Sequence, residues 1–216
     1  VGSQIGSYPT LNTLMYDRVS RAKQLAYRLA RHPATIALGW LTVFLGGMCL
    51  KPFFRKPREN AQAGVAVLAY AALAAAVVAL SGLDVYLYAI LLPHIIAAAL
   101  GGYLFYAQHN FPGVEIRSRH DWTYVDAALR ASSYMKMGRI MEWFSGNIGY
   151  HHIHHLNPGI PFYNLPEAMA ASPELQLEAD TSLAPSDVLR CLQLKLWDKD
   201  RHEMVGYPQA ASRERR

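Results

Sequence analysis

Two long apolar stretches, separated by one short connection, most constrain what this chain can fold into. Gln62–Leu83 carries no formal charge, and Val85–Gln108 contains no Asp, Glu, Lys or Arg. About 20 apolar residues suffice for a helix to cross the core of a bilayer, whereas buried helices of soluble proteins seldom run that long without interruption. The sequence therefore predicts an all-α integral membrane protein built around a transmembrane helical hairpin, with spans at 62–83 and 85–108.

A third apolar stretch, Ala34–Leu50, is shorter and is interrupted by glycines. Basic residues precede it and follow it again between Lys51 and Arg58, and such flanks favour the cytoplasmic side. We therefore expect 34–50 to be re-entrant or interfacial and not to cross. The connection Ser81–Asp84 has no positive charge and is expected on the opposite side, so the chain would return to the cytoplasm near His109.

Composition divides the rest of the chain around this membrane region, 34–108. Residues 1–33 are basic with leucines at helical spacing, which is typical of an amphipathic cytoplasmic or interfacial helix. Residues 109–171 are mixed and aromatic and are predicted to form a cytoplasmic helical cap. Residues 172–216 read as a polar C-terminal tail, in which Leu189, Leu192 and Leu196 predict one amphipathic helix before a frayed end at Arg213–Arg216.

The formal charge of +5 does not indicate a nucleic-acid-binding protein. The basic residues flank apolar spans and do not form a stripe interleaved with aromatic residues, so no nucleic-acid partner is expected. Cys49 and Cys191 are too few and too far apart to indicate a disulfide framework or a CxxC metal site.

Histidines are concentrated in one place, the run His151-His152-Ile153-His154-His155. If the run is helical, His151, His154 and His155 share a face. His154 and His155 differ by about 100° around the helix axis, which would let them reach two different metal ions. Imidazoles crowded so closely would repel one another on protonation. A shared cation is therefore favoured over the alternative of an exposed histidine-rich turn.

The ligand type leaves the metal open, because imidazole binds zinc, copper, iron and nickel alike. A zinc hydrolase of the HExxH type would place Glu between the histidines, and none is there. Soluble di-iron bundles use Glu-x-x-His motifs, yet Glu142, the nearest acid before the cluster, is nine residues from His151.

The stretch Gly146–Leu165, GNIGYHHIHHLNPGIPFYNL, resembles the third histidine box (HxxHH) of membrane fatty-acid desaturases, in particular bacterial acyl-lipid desaturases of the omega-6 (Δ12) type. Leu104–Phe111 resembles the end of that family's last transmembrane helix, where a further histidine ligand lies. The resemblance implies that four histidines are iron ligands: His109, His151, His154 and His155. It places His152 at a variable position of the box, from which it could orient a ligand through its free ring nitrogen. Asn147 could do the same, or it could be a helix N-cap.

The resemblance also implies the chemistry, which is O2-dependent insertion of a double bond into an acyl chain at a centre of two iron ions. It implies an acyl-lipid or acyl-CoA substrate in the membrane and a ferredoxin or cytochrome b5-like electron donor, which a basic cytoplasmic face would attract. The expected location is a bacterial inner membrane, multi-pass, with the histidine cluster on the cytoplasmic side. The alternatives are a related di-iron hydroxylase or ketolase, and a non-enzymatic membrane protein with a structural metal.

The chain departs from the family pattern in one respect. The first two boxes, HxxxH and HxxHH, are absent, since His32 is the one histidine before His94. The family's site needs about twice the ligands found here. We therefore expect a C-terminal fragment, inactive when isolated, of an enzyme that extends upstream of Val1.

Two other histidines are candidates for different roles. His94 lies inside the second span, where a polar residue is by default a functional candidate for a substrate tunnel or proton transfer. A helix would place it about 22 Å from His109, too far to share a metal. His120-Asp121-Trp122 is expected to be a surface loop.

Overall fold

A computed structural model describes residues 8–118, 120–176, 178 and 180–208. The chain divides into two units. The continuous unit is Leu29–Tyr103, and the discontinuous unit joins Val1–Arg28 to Leu104–Arg216. The described residues are mostly helical and form no closed sheet, in agreement with the helical fold predicted from the sequence.

The secondary-structure elements follow one another in a simple order. The α-helices in the described residues are α1 (Thr13–Arg18), α2 (Arg21–Ala30), α3 (Pro33–Ala37), α4 (Lys51–Arg55), α5 (Ala61–Ser81), α6 (Leu83–Val85), α7 (Leu92–Ala107), α8 (Tyr124–Arg130), α9 (Gly138–Phe144), α10 (His151–Leu156), α11 (Leu165–Ala171) and α12 (Pro185–Gln193). π-type helical segments cover Trp40–Leu50 and Tyr86–Leu91, and 3-10 turns cover Phe162–Asn164 and Pro173–Leu175. The strands are β1 (Met135–Lys136), β2 (Thr181–Ser182), β3 (Leu196–Asp198) and β4 (Glu203–Val205).

Two helices are long and apolar enough to cross a membrane by length and composition. They are α5, with 21 residues, and the run Leu83–Ala107, with 25 residues. In this run α6, a π-type segment and α7 follow one another without a break. At 1.5 Å per residue they extend about 31 and 37 Å, against a bilayer core of about 30 Å. Their bounds lie within two residues of the predicted spans. Gly82 joins them at φ 97°, a conformation that residues with a side chain rarely adopt.

The apolar surface of these helices is not packed inside the described protein. Leu68 is 71% exposed, Leu80 is 86% exposed and Tyr88 is 73% exposed. Such exposure of contiguous apolar side chains is unusual on a surface that faces water. It is the pattern expected of helices whose solvent is lipid.

The segment predicted to be re-entrant, 34–50, is helical, formed by α3 and the first π-type segment. His32 begins α3 as its N-cap, because its Nδ1 accepts a hydrogen bond from the Ala34 N–H at 3.2 Å. Within the continuous unit α7 lies directly against α3: a Cβ at Gly102 would overlap the carbonyl oxygen of Ile36. Whether 34–50 enters a bilayer stays a prediction.

The core of the discontinuous unit joins the two ends of the described chain. Tyr16 of α1, Tyr27 of α2 and Leu196 of β3 are buried together, with Val205 and Tyr207 packed against them. The Tyr27 hydroxyl donates to the carbonyl of Lys195 at 2.6 Å. Strands β3 and β4 form an antiparallel hairpin that pairs Leu196 with Val205.

The region predicted as a polar tail, 172–216, is therefore folded protein over most of its described length. Its predicted amphipathic helix is present as α12, but Leu196 lies in β3 and not on that helix. Cys191 of α12 is fully buried, and Trp197 and Met204 are nearly so. The end expected to fray, Arg213–Arg216, lies outside the described residues.

The amphipathic helix predicted near the N-terminus has two apolar faces. Tyr27 faces the core of the discontinuous unit, whereas Leu25 is 58% exposed and Leu29 is 56% exposed. The predicted contact with a membrane surface therefore concerns only the face that carries the leucines, and for that face it stays a prediction.

Candidate metal centre

Two segments of the discontinuous unit bring the histidines together. His109 lies two residues after the end of α7, and α10 carries His151, His152, His154 and His155. The two segments are joined through Gln108, whose side-chain amide donates to the carbonyl of Ile148 at 2.7 Å. The Gln108 carbonyl in turn accepts from the Ser133 N–H at 3.0 Å, and the Ser133 carbonyl accepts from the His152 N–H.

Three imidazoles point their Nε2 atoms at one another. The distance from His151 Nε2 to His109 Nε2 is 3.1 Å, and that from His155 Nε2 to His151 Nε2 is 3.0 Å. Ligand atoms of the three residues all lie within 4.8 Å of one another. His151 is buried and the other two are half-buried. We call these three residues the imidazole cluster.

Hydrogen bonding among the rings cannot satisfy the imidazole cluster. A neutral imidazole has one N–H, and His109 Nδ1 lies 2.9 Å from the carbonyl oxygen of Ala131, an acceptor to which only an N–H can bind. His109 Nε2 is therefore a bare lone pair. His151 Nε2 has two close nitrogen neighbours, and one ring nitrogen cannot donate to the first while accepting from the second. A cation would satisfy all three lone pairs at once.

The spacing of the nitrogens suits ligands of one metal ion. Imidazole nitrogens bind metals such as zinc at about 2.0–2.1 Å. Two nitrogens about 2.1 Å from one ion and about 90–95° apart would be separated by about 3.0–3.1 Å. Those are the separations of His151 Nε2 from the Nε2 atoms of His109 and His155. The residues present therefore fit a metal ion.

The surroundings keep these rings neutral and ready to bind a metal. Burial lowers the pKa of His151 to about 2, helped by the charges that neighbouring histidines would carry. Burial, followed by repulsion from His109 and His154, lowers the pKa of His155 to about 4. Burial also lowers the pKa of His109, against an opposing contribution from its bond to Ala131. At neutral pH each ring is therefore neutral and can offer one unprotonated nitrogen to a metal, as metal binding requires.

The remaining predicted site residues occupy different positions. The ring of His154 stacks beside that of His151 with centroids 5.8 Å apart, but His154 is not one of the three residues whose ligand atoms cluster. His152 is fully buried, with its ring 5.7 Å from Tyr134 and its Nε2 3.4 Å from the carbonyl oxygen of Leu175. The Nδ1 atoms of His151 and His152 are buried without a hydrogen-bond partner among the described residues.

Asn147 does not cap α10. The N-cap of that helix is Tyr150, which makes no side-chain capping bond, so the N-cap alternative is wrong. Asn147 has φ 55°, in the left-handed region, and its side-chain amide donates to the carbonyl of Phe162 at 3.1 Å. This bond holds the loop before α10 against the turn that follows it. A role in orienting a ligand stays a prediction.

His94 and His120 are elsewhere in the described chain. In the continuous unit the His94 ring lies 4.9 Å from the Trp40 ring and 6.1 Å from the Tyr70 ring, measured between centroids. The turn that contains His120 is exposed and is held by a bond from the Ser118 hydroxyl to Asp121 at 2.6 Å. The surface loop predicted at 120–122 is thus confirmed.

Sequence reasoning did not identify two groups that contact the cluster residues. The carbonyl of Ala131 accepts from His109, and the hydroxyl of Tyr124 donates to the carbonyl of His155. Tyr124 is 31 residues from His155 along the chain, and no local pattern marks the pairing.

These features define a class: a mostly helical chain with two helices of membrane-spanning length and a cluster, made of imidazoles alone, that could hold a metal ion. Residues 7–185 match the family model described as fatty acid desaturase. A curated relative, the "Fatty acid desaturase" of Bacillus subtilis (strain 168), is 35% identical over 193 residues, which are 89% of this chain and 54% of the relative. The chain belongs to the fatty acid desaturase family, and it spans about half the length of that curated relative.

Proposed function

We propose that this chain forms part of a membrane enzyme that inserts a double bond into an acyl chain at a histidine-ligated di-iron centre. The observation that carries the proposal is the imidazole cluster, in a chain of the fatty acid desaturase family. The balanced reaction is R–CH2–CH2–R′ + O2 + 2 electrons + 2 H⁺ → R–CH=CH–R′ + 2 H2O. The electrons would come from a ferredoxin or cytochrome b5-like donor, and the substrate would be an acyl-lipid or acyl-CoA.

In this proposal the imidazole cluster holds one iron. His109, His151 and His155 would bind it through Nε2, and His154, on the adjacent part of the same helix, would face the second iron. Bound iron would supply the activation of O2 and the removal of hydrogen from an unactivated CH2 group. The chain itself would keep the rings neutral by burial and would fix the tautomer of His109 through Ala131.

We further propose that α5 and the run Leu83–Ala107 cross the membrane as a hairpin. The proposal is supported by their length and by the exposure of their apolar side chains. The basic flank Lys51–Arg58 and the absence of positive charge in Ser81–Asp84 would place the imidazole cluster on the cytoplasmic side. Residues 34–50 would lie in the interface without crossing, residues 1–33 would contact the membrane surface, and residues 109–171 would form the catalytic cap.

The test is product analysis together with iron content, in the protein expressed from its own gene. Acyl chains should gain a double bond in the presence of O2 and a reductant, and the purified protein should contain iron. Replacing His109, His151, His154 or His155 by alanine should abolish the product and lower the iron content, because every ligand belongs to one cooperative site.

His94→Ala and His120→Ala are the matched controls, and both should retain iron. An oxygenated acyl product would instead support the hydroxylase or ketolase alternative. Tightly bound metal without any acyl product would support a structural metal. If His94→Ala empties the site while His154→Ala leaves it filled, the ligand assignment is wrong.

A further inference from the structure

One short helix, α8, is bonded to the imidazole cluster at both of its ends. Ala131, the residue directly after α8, accepts a hydrogen bond from His109 Nδ1 at 2.9 Å. At the other end the hydroxyl of Tyr124 lies 2.6 Å from the carbonyl oxygen of His155 and 3.0 Å from that of Leu156. The two contacts reach His109, which follows α7, and His155, which lies in α10.

The Tyr124 contact acts on the last turn of α10. That helix ends at Leu156, and the final carbonyls of a helix have no partner within it. A tyrosine hydroxyl shared between the carbonyls of His155 and Leu156 satisfies these groups and limits fraying of the turn that carries His155. Fraying of this turn would displace His155 Nε2 from its position 3.0 Å from His151 Nε2.

The helix α8 is itself held firmly at both ends. At the first turn, the Thr123 hydroxyl oxygen accepts from the Asp126 N–H at 3.1 Å. At the last turn, Arg130 pairs with Glu115 at 2.8 Å, and the Arg130 carbonyl accepts from the Glu115 N–H at 3.0 Å. A helix of seven residues, about 10 Å long, fixed at each end, sets a defined separation between its two attachment points.

We propose that α8 is the positioning element of the metal centre and that Tyr124 is its positioning residue, which sets His155 relative to His109. The inference rests on the proposed function, because it assigns Tyr124 a role toward a metal held by the imidazole cluster. Tyr124 does not touch the metal ligand atoms: it acts through the backbone of His155. Removing its hydroxyl should loosen the ligand set while leaving the fold in place.

The experiment compares wild type, Tyr124→Phe and Tyr163→Phe in the metal-stripped protein, expressed from its own gene and purified in detergent. Tyr163→Phe is the matched control, because Tyr163 is 63% exposed and its hydroxyl has no bond among the described residues. Co²⁺ is the probe, since its visible absorption reports the arrangement of its ligands. The readouts are the Co²⁺ dissociation constant, that spectrum, and the thermal midpoint of the metal-free protein.

Tyr124→Phe should weaken Co²⁺ binding about tenfold and should change the Co²⁺ spectrum. Tenfold is the lower end of the 10–100-fold loss that is typical when a partner that orients a metal ligand is removed. Tyr163→Phe should alter neither. If Tyr124→Phe lowers the thermal midpoint but leaves Co²⁺ affinity and spectrum at wild-type values, Tyr124 is merely structural and the inference is overturned. If the wild type binds no Co²⁺, the proposed function falls together with the inference.

Discussion

Replacing Gly149 by alanine should destabilise the segment that leads into α10. The Gly149 carbonyl accepts from the Met135 N–H at 2.8 Å, so the two backbones are in direct contact. An added Cβ would overlap the carbonyl oxygen of Met135 and would lie 3.0 Å from the Met137 methyl carbon. Because the nearest obstacle is backbone, the contact cannot be relieved by rotating a side chain. The strand β1 and the chain before α10 would have to separate.

The magnitude follows from three contributions. Overpacking of a well-packed interior costs about 1–3 kcal/mol, and loss of the bond from Met135 to Gly149 costs about 1 kcal/mol. Alanine has fewer conformations than glycine in the unfolded chain, and this difference raises the free energy of unfolding by up to about 1 kcal/mol. The net loss in the free energy of unfolding is then about 1–4 kcal/mol. A value of about 2 kcal/mol lowers the Tm of a protein of this size by about 4–8 °C.

Thermal unfolding followed by circular dichroism in detergent measures this change, with Gly206→Ala as the control. A Cβ at Gly206 would lie 3.6 Å from the Gln193 carbonyl oxygen, an ordinary contact, so the Tm of that variant should stay close to wild type. Because Gly149 lies two residues before His151, the Gly149 variant should also bind less metal. Equal Tm values for the two variants would refute the argument that this backbone contact is rigid.

Two further predictions concern topology and metal content. The topology is tested by thiol labelling in a variant without Cys49 and Cys191. A cysteine introduced by Ser81→Cys should be labelled from outside intact cells, whereas one introduced by Arg58→Cys should be labelled only after permeabilisation. The reverse pattern would refute the proposed orientation. Ser81 is chosen because Gly82 has φ 97° and would be strained by any side chain. The 216 residues alone should bind fewer than two irons per chain, because they offer only the imidazole cluster and His154 as proposed ligands; a content close to two would contradict this.

Local patterns in the sequence were enough for some of the structure. The long helices follow from uninterrupted apolar runs, because that signal lies within one element. The histidine run is helical in α10, which meets the condition under which its histidines were expected to share a face. The pairing of His109 with His151 and His155 joins residues about 40 positions apart. Resemblance to a family supplied that pairing, which periodicity could not.

Other features depend on packing between distant segments and leave no local mark. The described part of 172–216 resembles a polar tail in sequence because its buried side chains are few. Between Trp197 and Met204 the hairpin carries a run of charged residues, Asp198–Glu203. Asn147 resembles an N-cap by composition, but its left-handed φ belongs to a loop that is fixed by Phe162. In the sequence Tyr124 is one of several aromatic residues in 109–171, and no local pattern links it to His155.

The bond between Tyr27 and Lys195, 168 residues apart, has a consequence for how the protein is made. A ribosome adds about 5–20 residues per second, so roughly 8–34 s separate the synthesis of the two partners. During that interval α1 and α2 have emerged, but the hairpin that buries Tyr16 and Tyr27 does not yet exist. The whole continuous unit is synthesised in between. The aromatic side chains of Tyr16 and Tyr27 therefore stay without their packing partners from β3 and β4 until that hairpin has been synthesised.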